Sequence, residues 1–312
     1  MKKLFSTKML ITLILLFAFY GVVQYLMVNR ILNPYYQLNL LLLCINIMMA
    51  VSLNLVNGFL GQLHLGHAGF MAIGAYTSAA MTTKMGLPFT LALITGAVVT
   101  AIVGLAIGAP ILRLRGDYLA IATLGFGEIV KVVFVNMEYV GGASGLAGIR
   151  RYSNWTWIFF ISVITVIIIR NYIRSSHGRA VLSIREDEIA AETMGINITR
   201  FKVITFTMAA FFAGLAGALY AHYFYLITPN TFNFLKSIDY LVMVVLGGMG
   251  SITGSILAAT GLTLISAFLQ RFAEVRMIIY ALILIAVMIF RPQGLMGTKE
   301  FGFSFLEKKE RR

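Results

Sequence analysis

The chain contains 312 residues, of which 59% are hydrophobic and only 12% are charged, and its mean hydropathy is +0.87. These values exclude an ordinary soluble globular protein and indicate a membrane protein. The net charge of +13 does not indicate nucleic-acid binding, because the basic residues are scattered through short loops and a tail beside apolar segments. Membrane topology and contact with anionic lipid headgroups explain them more simply.

The apolar segments are predicted to be helices, because MLITLILLFAFYGVVQYLMV is apolar on every side, whereas barrel strands alternate between apolar and polar residues. A spanning helix needs about 20 apolar residues, which predicts an all-α, polytopic helical membrane protein of about nine to ten spans with broken or re-entrant segments. Residues 1–312 are expected to form a single transmembrane domain. The predicted spans are 9–29, 36–56, 66–83, 89–112, 117–137, 154–171, 203–226, 238–250, 252–270 and 276–291.

The distribution of basic residues predicts the orientation. With a cytoplasmic N-terminus, 17 of the 25 Lys and Arg residues lie on the cytoplasmic side, seven, including Lys236, lie opposite, and Lys131 lies within a span. This asymmetry follows the positive-inside rule and predicts that both termini, including the tail 292–312, are cytoplasmic. The N-terminal MKKLFSTK and its apolar run lack an A-x-A-type cleavage pattern, so a retained first span is expected.

The stretch GFLGQLHLGHAGFMAIGAY, residues 58–76, combines five glycines with two histidines and a glutamine in an apolar region. A continuous lipid-facing helix is implausible here, because non-helical backbone at membrane depth requires cover by protein or a water-filled cavity. Transporters place such broken helices near the substrate path. Two interpretations stay open: the stretch lines a translocation path, or it is a cytoplasmic turn that caps the second and third spans. The candidate path residues are Gly61, Gln62, Gly66, His67 and Gly69, together with Glu128.

Glu128 and Lys131 are the ionisable residues that the sequence places clearly within a span. Their spacing of three residues puts them on one helix face, where they can pair. Ionisable residues at membrane depth usually face a bundle interior or an aqueous path. A structural ion pair and a role beside the translocation path are both open, and no second acidic residue is expected deep in any span.

Small residues recur at helix-packing spacing in AGLAGALYA, at Gly214, Gly217 and Ala221. Such residues let helix backbones approach each other closely. The span 203–226 is therefore expected to pack closely against its neighbours.

No catalytic or metal site is predicted. His64 and His67 lack a cysteine or nearby acid that could complete a tetrahedral site, and the only cysteine, Cys44, lies in apolar LLLCINIMMA. The chain also lacks a G-x-x-x-x-G-K-[ST] motif, so it cannot bind ATP in the P-loop manner.

The loop 172–202 is the one segment outside the termini that is dense in charges of both signs. Leu182 to Met194 is predicted to be helical and to stop at Gly195. Charge alone leaves two interpretations open: a connector on the membrane surface, or a docking site for a soluble partner. The polar residues of this helix include Arg185, Glu186, Asp187, Glu188 and Glu192, and its small-residue apolar patch comprises Ile189, Ala190, Ala191 and Met194.

The sequence EIAAETMG in this loop resembles the cytoplasmic "EAA" loop of ABC importer permeases, with Ala190, Ala191 and Gly195 at matching positions. Two features depart from the general motif: Glu188 stands one place early, and the Ile-x-Leu-Pro continuation is absent. Together with LRLRGDYLAIATLGFGEIV, AFFAGLAGALYA, VLGGMGSITGS and RPQGLMG, the loop resembles the LivM-type permeases of branched-chain amino acid ABC importers, nearly from end to end.

The resemblance implies a transport subunit rather than an enzyme. It implies a second, LivH-type permease subunit, two ABC ATPase subunits that bind the ATP, an extracytoplasmic amino-acid-binding protein, and a location in the bacterial cytoplasmic membrane. It implies no cofactor in this chain, and it assigns ATPase coupling to residues 185–188, Ala190, Ala191 and Gly195. Urea or short amides are alternative substrates, and an ion-coupled secondary carrier is a further alternative. In the family, Ser usually stands where His64 does, whereas Gln62, Gly66 and His67 fit the pattern.

Overall fold

A computed structural model describes residues 7–114 and 116–269, together with residues 282, 285, 289 and 294–297. The helices within these residues are α1 (Thr7–Val28), α2 (Pro34–Asn54), α3 (His67–Thr83), α4 (Phe89–Ile111), α5 (Asp117–Asn136), α6 (Trp155–Arg174), α7 (Ser176–Glu186), α8 (Glu188–Thr193), α9 (Ile198–Ala221), α10 (Phe234–Gly247) and α11 (Ile252–Leu269). Two short antiparallel strands, β1 (Leu146–Ala147) and β2 (Leu226–Ile227), pair two loops.

The chain is a polytopic helical protein, as its composition predicts. Six helical segments among the described residues are long and apolar enough to cross a membrane: 34–59, 89–111, 117–136, 155–174, 198–221 and 252–269. Three further predicted spans correspond to the apolar part of α1 (Ile14–Val28), the 17-residue α3 and the 14-residue α10, which are shorter. The predicted span 276–291 lies almost entirely outside the described residues. Six candidate spans are thus established, and the larger number stays a prediction.

Local sequence signals explain where several helices begin. Pro34 opens α2, where its fixed φ suits the first turn, and the Asn33 side chain accepts a hydrogen bond from the Tyr35 amide. Asn197 and Asn233 cap α9 and α10 by accepting from the backbone amides three residues ahead. These caps satisfy donors that a buried helix end would otherwise leave unpaired.

Helix α9 packs closely against α3 and α4, and glycines allow this close approach. A Cβ added at Gly74 of α3 would lie 2.1 Å from the carbonyl oxygen of Gly214, and one at Gly217 would lie 2.0 Å from that of Met71. The backbones therefore touch without intervening side chains. This confirms the close packing predicted from Gly214 and Gly217.

Helices α2, α10 and α11 are joined by a buried polar network centred on Asn54. Its side chain donates to the Ser251 carbonyl and the Ser255 hydroxyl, at 2.9 and 2.8 Å, and accepts from the Gly250 amide at 2.9 Å. Because a buried amide loses free energy unless it is hydrogen-bonded, this network fixes the turn between α10 and α11 against the end of α2.

The loop 172–202 contains two short helices, so the single helix predicted from Leu182 to Met194 is wrong. The chain breaks at Asp187, whose extended backbone ends α7 and whose carboxylate caps α8 by accepting from the amides of Ile189 and Ala190. The predicted stop is correct, because Gly195 has a left-handed backbone with φ +84° directly after α8.

Candidate functional site

The glycine-rich stretch forms the predicted break between α2 and α3. One π-helical turn, Leu55–Phe59, follows α2, and the chain then runs without regular structure to His67. Gly61 adopts φ +73°, a conformation that favours glycine. The Asn57 side chain spans the break, donating to the carbonyl of His64 and accepting from its amide. Most of the break is buried, as non-helical backbone in a membrane protein must be.

Arg185 of α7, in the loop 172–202, contacts the break between α2 and α3. Its Nη1 donates to the carbonyl oxygen of Gly58 at 2.9 Å. A Cβ at Gly61 would lie 3.1 Å from its Cγ, and one at Gly250 would lie 2.5 Å from its Nη1. One side chain therefore contacts both the π-helical turn that follows α2 and the turn between α10 and α11.

Glu188, the first residue of α8, forms a second connection to the break. Its Oε1 accepts a hydrogen bond from Gln62 Nε2 at 3.1 Å and one from the ammonium group of Lys202. Lys202 is buried in α9, with 4% exposure, so this carboxylate compensates a buried ammonium group. Gln62 and Gly61 thus contact the loop 172–202, on the loop side of the molecule. We define Arg185, Glu188, Lys202 and Gln62 as the coupling node.

Helix α8 presents an apolar surface away from the chain's own core. Ile189 is 70% exposed and Met194 is 82% exposed, and Ala190 and Gly195 are also exposed. The predicted patch is wrong in one member, because Ala191 is buried and packs inward. Of the predicted polar residues, Glu186 and Asp187 are exposed, whereas Arg185 and Glu188 point into the node.

The other candidate path residues lie deeper, where α3 begins beside α5. A Cβ at Gly66 would lie 2.1 Å from the Thr123 carbonyl oxygen, and one at Gly69 would lie 3.1 Å from the Gly127 Cα. His67 is fully buried, and its Nε2 lies 2.8 Å from the Ser52 hydroxyl. The glycines therefore allow direct backbone contact between the two helices.

His64 lies in an aromatic enclosure formed by Phe70 and Phe206, with ring centroids 5.5 and 5.1 Å away. Neither of its ring nitrogens has a hydrogen-bond partner among the described residues. Burial lowers the pKa of His64 to about 3, so the imidazole is neutral. Across the described part of the chain, no three His, Cys, Asp or Glu side chains gather to hold a metal ion.

Glu128 pairs with Lys131, as their spacing predicts, at 3.4 Å. Its other carboxylate oxygen accepts from the amide of Phe234 at 3.2 Å. Phe234 is the first residue of α10, so a carboxylate of α5 lies at the positive end of another helix. A narrow cleft between α3, α5 and α10 lies beside this contact, lined by Leu65, Gly69, Leu124, Gly127, Glu128, Phe232, Asn233, Phe234 and Ser237.

A second ion pair, Lys236 with Asp239, lies on the first turns of α10 at 3.8 Å. The sequence reasoning did not identify this pair. Asp239 is eight residues before the end of α10, about 12 Å from the turn that contacts Arg185. The i, i+3 spacing of LKSID was a usable signal for pairing, but the start of α10 next to Glu128 is a tertiary feature.

The arrangement has two levels. At the loop side, the coupling node joins α7, α8 and α9 to the break. Deeper in the bundle, two ion pairs lie on α5 and α10 around the contact between Glu128 and Phe234. A bundle of apolar helices with a broken segment, an exposed loop helix and charges between helices is the architecture of a membrane transport subunit.

Comparison with known proteins identifies the family. Residues 36–290 match the family described as "Branched-chain amino acid transport system / permease component". The permease protein LivM of Salmonella typhimurium is 38% identical over 81% of this chain and 68% of its own length, and LivM of Escherichia coli is 37% identical over the same shares. LivH of Salmonella typhimurium is 27% identical over 81% of this chain and 91% of its own. No solved structure matches the chain. This chain belongs to the permease components of branched-chain amino acid transport systems.

Proposed function

We propose that the chain works as one of two unlike permease subunits in an ATP-driven importer of Leu, Ile and Val. The similarity to both LivM and LivH supports a pairing of two permeases that share one fold. The complete importer would add two ATPase subunits and an extracytoplasmic binding protein, in the bacterial cytoplasmic membrane. The nine to ten spans and the cytoplasmic termini predicted from the sequence belong to this proposal.

The observation that carries the proposal is the exposed apolar surface of α8. Large apolar side chains that are exposed on a charged loop commonly mark a surface that a partner covers. Ile189 and Met194 protrude beside Ala190 and Gly195, which offer a small, close-fitting surface. A short helix of this kind can bind in a groove on an ATPase subunit.

The coupling node supplies a route from this surface into the membrane. A partner that moves α8 also moves Glu188, which is bonded to Gln62 of the break and to Lys202 of α9. Movement of α7 carries Arg185, which donates a hydrogen bond to Gly58 in the π-helical turn after α2. Closure of the ATPases would thus reposition the break and switch access from one side to the other. Gly66, His67 and Gly69 would then line the moving part of the path.

No covalent chemistry is assigned to this chain, and ATP hydrolysis would take place in the partner subunits. Glycine-exposed backbone groups and side-chain amides would meet the charged groups of the amino acid, and apolar helix faces would meet its aliphatic part.

The docking role is tested by placing a charge on α8. Ile189→Glu and Met194→Glu are expected to abolish co-purification of the ATPase subunits, because each would bury an unpaired carboxylate at the interface. Both side chains are exposed in the single chain, so membrane insertion and detergent-solubilised yield should equal wild type.

The matched control is Met85→Glu, at a methionine that is 63% exposed in the turn between α3 and α4. This turn is predicted to lie on the opposite side of the membrane, so the ATPases should still co-purify. Co-purification of the ATPases with both α8 variants would contradict the docking role.

A further inference from the structure

Three arginines meet where helix α6 ends and the chain turns into α7. Arg170 and Arg174 lie one turn apart on α6, at spacing i, i+4, and both are exposed. Gly178 lets α7 fold back tightly on α6, because a Cβ added there would lie 2.1 Å from the carbonyl oxygen of Ile173. As a result, Nη1 of the exposed Arg179 lies 3.5 Å from the carbonyl oxygen of Arg174. We call Arg170, Arg174 and Arg179 the basic corner.

The positive charge of the basic corner is not balanced by the part of this chain that the structure describes. The sequence contains no Asp or Glu between Glu138 and Glu186. The ion pairs among the described residues lie elsewhere, and none of them includes an arginine of the corner. Exposed arginines that are not paired with a carboxylate attract an anion from outside the chain.

An apolar stripe of α6 leads directly to these charges. Its members Ile164, Ile167 and Ile168 are 51%, 42% and 42% exposed. Ile167, Arg170 and Arg174 follow each other at spacings of three and four residues, so the arginines continue the isoleucine face. The distance along the helix axis from Ile164 to Arg174 is about 15 Å, which is half of a hydrocarbon core of about 30 Å. The stripe therefore has the length of one lipid leaflet, with the arginines at its end.

The stripe and the corner together favour an anionic phospholipid over a free anion. Helix α6 is one of the six candidate spans, and only 33% of its apolar stretch is buried by this chain. Lipid acyl chains suit the exposed isoleucine face, and arginines at the end of a span extend their long side chains towards the headgroups. A guanidinium group can bind a phosphate through two parallel hydrogen bonds. A free phosphate ion would use the arginines but not the stripe.

We propose that the basic corner and the isoleucine stripe of α6 form a binding site for one anionic phospholipid. The arginines bind the phosphate of the headgroup, and an acyl chain lies along Ile164, Ile167 and Ile168. The site differs from a general attraction between basic loops and the membrane surface, because it engages named side chains and an acyl chain. It would exist whichever substrate the protein carries.

Native mass spectrometry of the full-length protein in detergent tests the site. Titrations with phosphatidylglycerol, which is anionic, and with phosphatidylcholine, which has no net charge, give the affinity for each lipid. The wild type should bind phosphatidylglycerol more tightly. Arg170→Gln and Arg174→Gln should each weaken phosphatidylglycerol binding about five-fold, the typical contribution of one basic residue beside anionic lipid. Phosphatidylcholine binding should change by less than about two-fold.

Two controls separate the site from general effects of charge and folding. The double variant Arg170→Lys with Arg174→Lys keeps both charges and should bind phosphatidylglycerol within about two-fold of wild type. Arg113→Gln removes an exposed arginine that follows the apolar run of α4. Because this arginine lies on another helix, four residues before the acidic Asp117, its loss should also leave the affinity within about two-fold.

Inorganic phosphate distinguishes a lipid site from a site for a free anion. At the same concentration as the lipid, inorganic phosphate should not displace phosphatidylglycerol, because it has no acyl chain to contact the isoleucines. Displacement would show that the arginines bind the phosphate group alone, and it would overturn the lipid site.

Three further results would overturn the proposal. They are equal affinity of the wild type for the two lipids, unchanged phosphatidylglycerol affinity in both glutamine variants, and an equal loss in Arg113→Gln, which would indicate general surface charge only. If one glutamine variant elutes as an aggregate in size-exclusion chromatography, the other glutamine variant and the double lysine variant decide. Loss of phosphatidylglycerol affinity in the double lysine variant would contradict a site that depends on charge.

Discussion

The interface of α3, α4 and α9 and the face shared by α5 and α10 are built in opposite ways. In the first, glycines bring backbones into direct contact, as between Gly74 and Gly214, and burial is nearly complete. In the second, the side chains of Glu128 and Asp239 remain 39% and 43% exposed. Close apolar packing fixes relative positions, whereas partly open ion pairs can exchange partners. We therefore expect the first region to hold the helices in fixed positions and the second to be the region that can rearrange.

A direct loss of stability is expected in the framework formed by α3, α4 and α9. Gly74→Ala would place a Cβ 2.1 Å from the carbonyl oxygen of Gly214, a backbone atom that cannot rotate away. The two helices must separate, and overpacking of this kind costs about 1–3 kcal/mol or more. Thermal denaturation in detergent, followed by fluorescence-detected chromatography, should show a clear loss of stability. The control is Gly261→Ala, where an added Cβ meets nothing within 4 Å; equal stability of both variants would contradict the account.

At the coupling node, stability should be lost because a buried ion pair is broken. Glu188→Gln leaves the buried Lys202 without its carboxylate, and breaking a buried pair in this way typically costs about 3–5 kcal/mol. The double variant Glu188→Gln with Lys202→Met should recover part of that loss, because no unpaired ammonium group remains. Additive effects in the same denaturation assay would show that the two residues do not interact.

Arg185 links the loop to two membrane segments, so its loss should separate ATP hydrolysis from transport. Arg185→Ala removes a charge-assisted hydrogen bond to Gly58, with a stability change of about 1.5–3 kcal/mol. The ratio of leucine transported to ATP hydrolysed should fall several-fold. Arg179→Ala changes an exposed arginine on the same helix and should keep the wild-type ratio. A normal ratio in Arg185→Ala would remove this residue from the coupling route.

The smallest effect is expected at His64. Because burial lowers the pKa of this imidazole from 6.5 to about 3, the unfolded state binds more protons below pH 6.5. The fold therefore loses stability from this residue as the pH falls from 6.5 towards 3, and loses none above that range. His64→Phe should remove this acid sensitivity and leave stability at pH 8 almost unchanged. Identical pH dependence in the variant and the wild type would contradict the burial of the neutral ring.

The sequence predicted what local chemistry determines. Long charge-free runs placed most helix boundaries within a few residues, the glycines of residues 58–76 predicted the break, and the spacing of Glu128 and Lys131 predicted their pairing. Tertiary features were missed. The inward orientation of Ala191 depends on the break at Asp187, and the contact of Glu128 with the Phe234 amide depends on where α10 begins. Local sequence motifs do not predict these features, because they depend on packing between segments that are distant in the sequence.

The contacts of Gly61 and Gln62 bear on the two interpretations of residues 58–76. The sequence allowed either a path lining or a loop-side turn for the whole stretch. In the structure, these two residues contact Arg185 and Glu188, whereas Gly66 and Gly69 contact α5 beside Glu128. Their roles in transport stay predictions, but the two halves of the stretch now carry different ones: transmission near the loop and path lining deeper in the membrane.

The most direct test of the central claim is leucine uptake into proteoliposomes. With the second permease, the ATPases and loaded binding protein present, this chain should support uptake that requires ATP, and omission of the ATPases should abolish it. Uptake by this chain without any ATPase, driven by an ion gradient, would contradict the account and identify a secondary carrier.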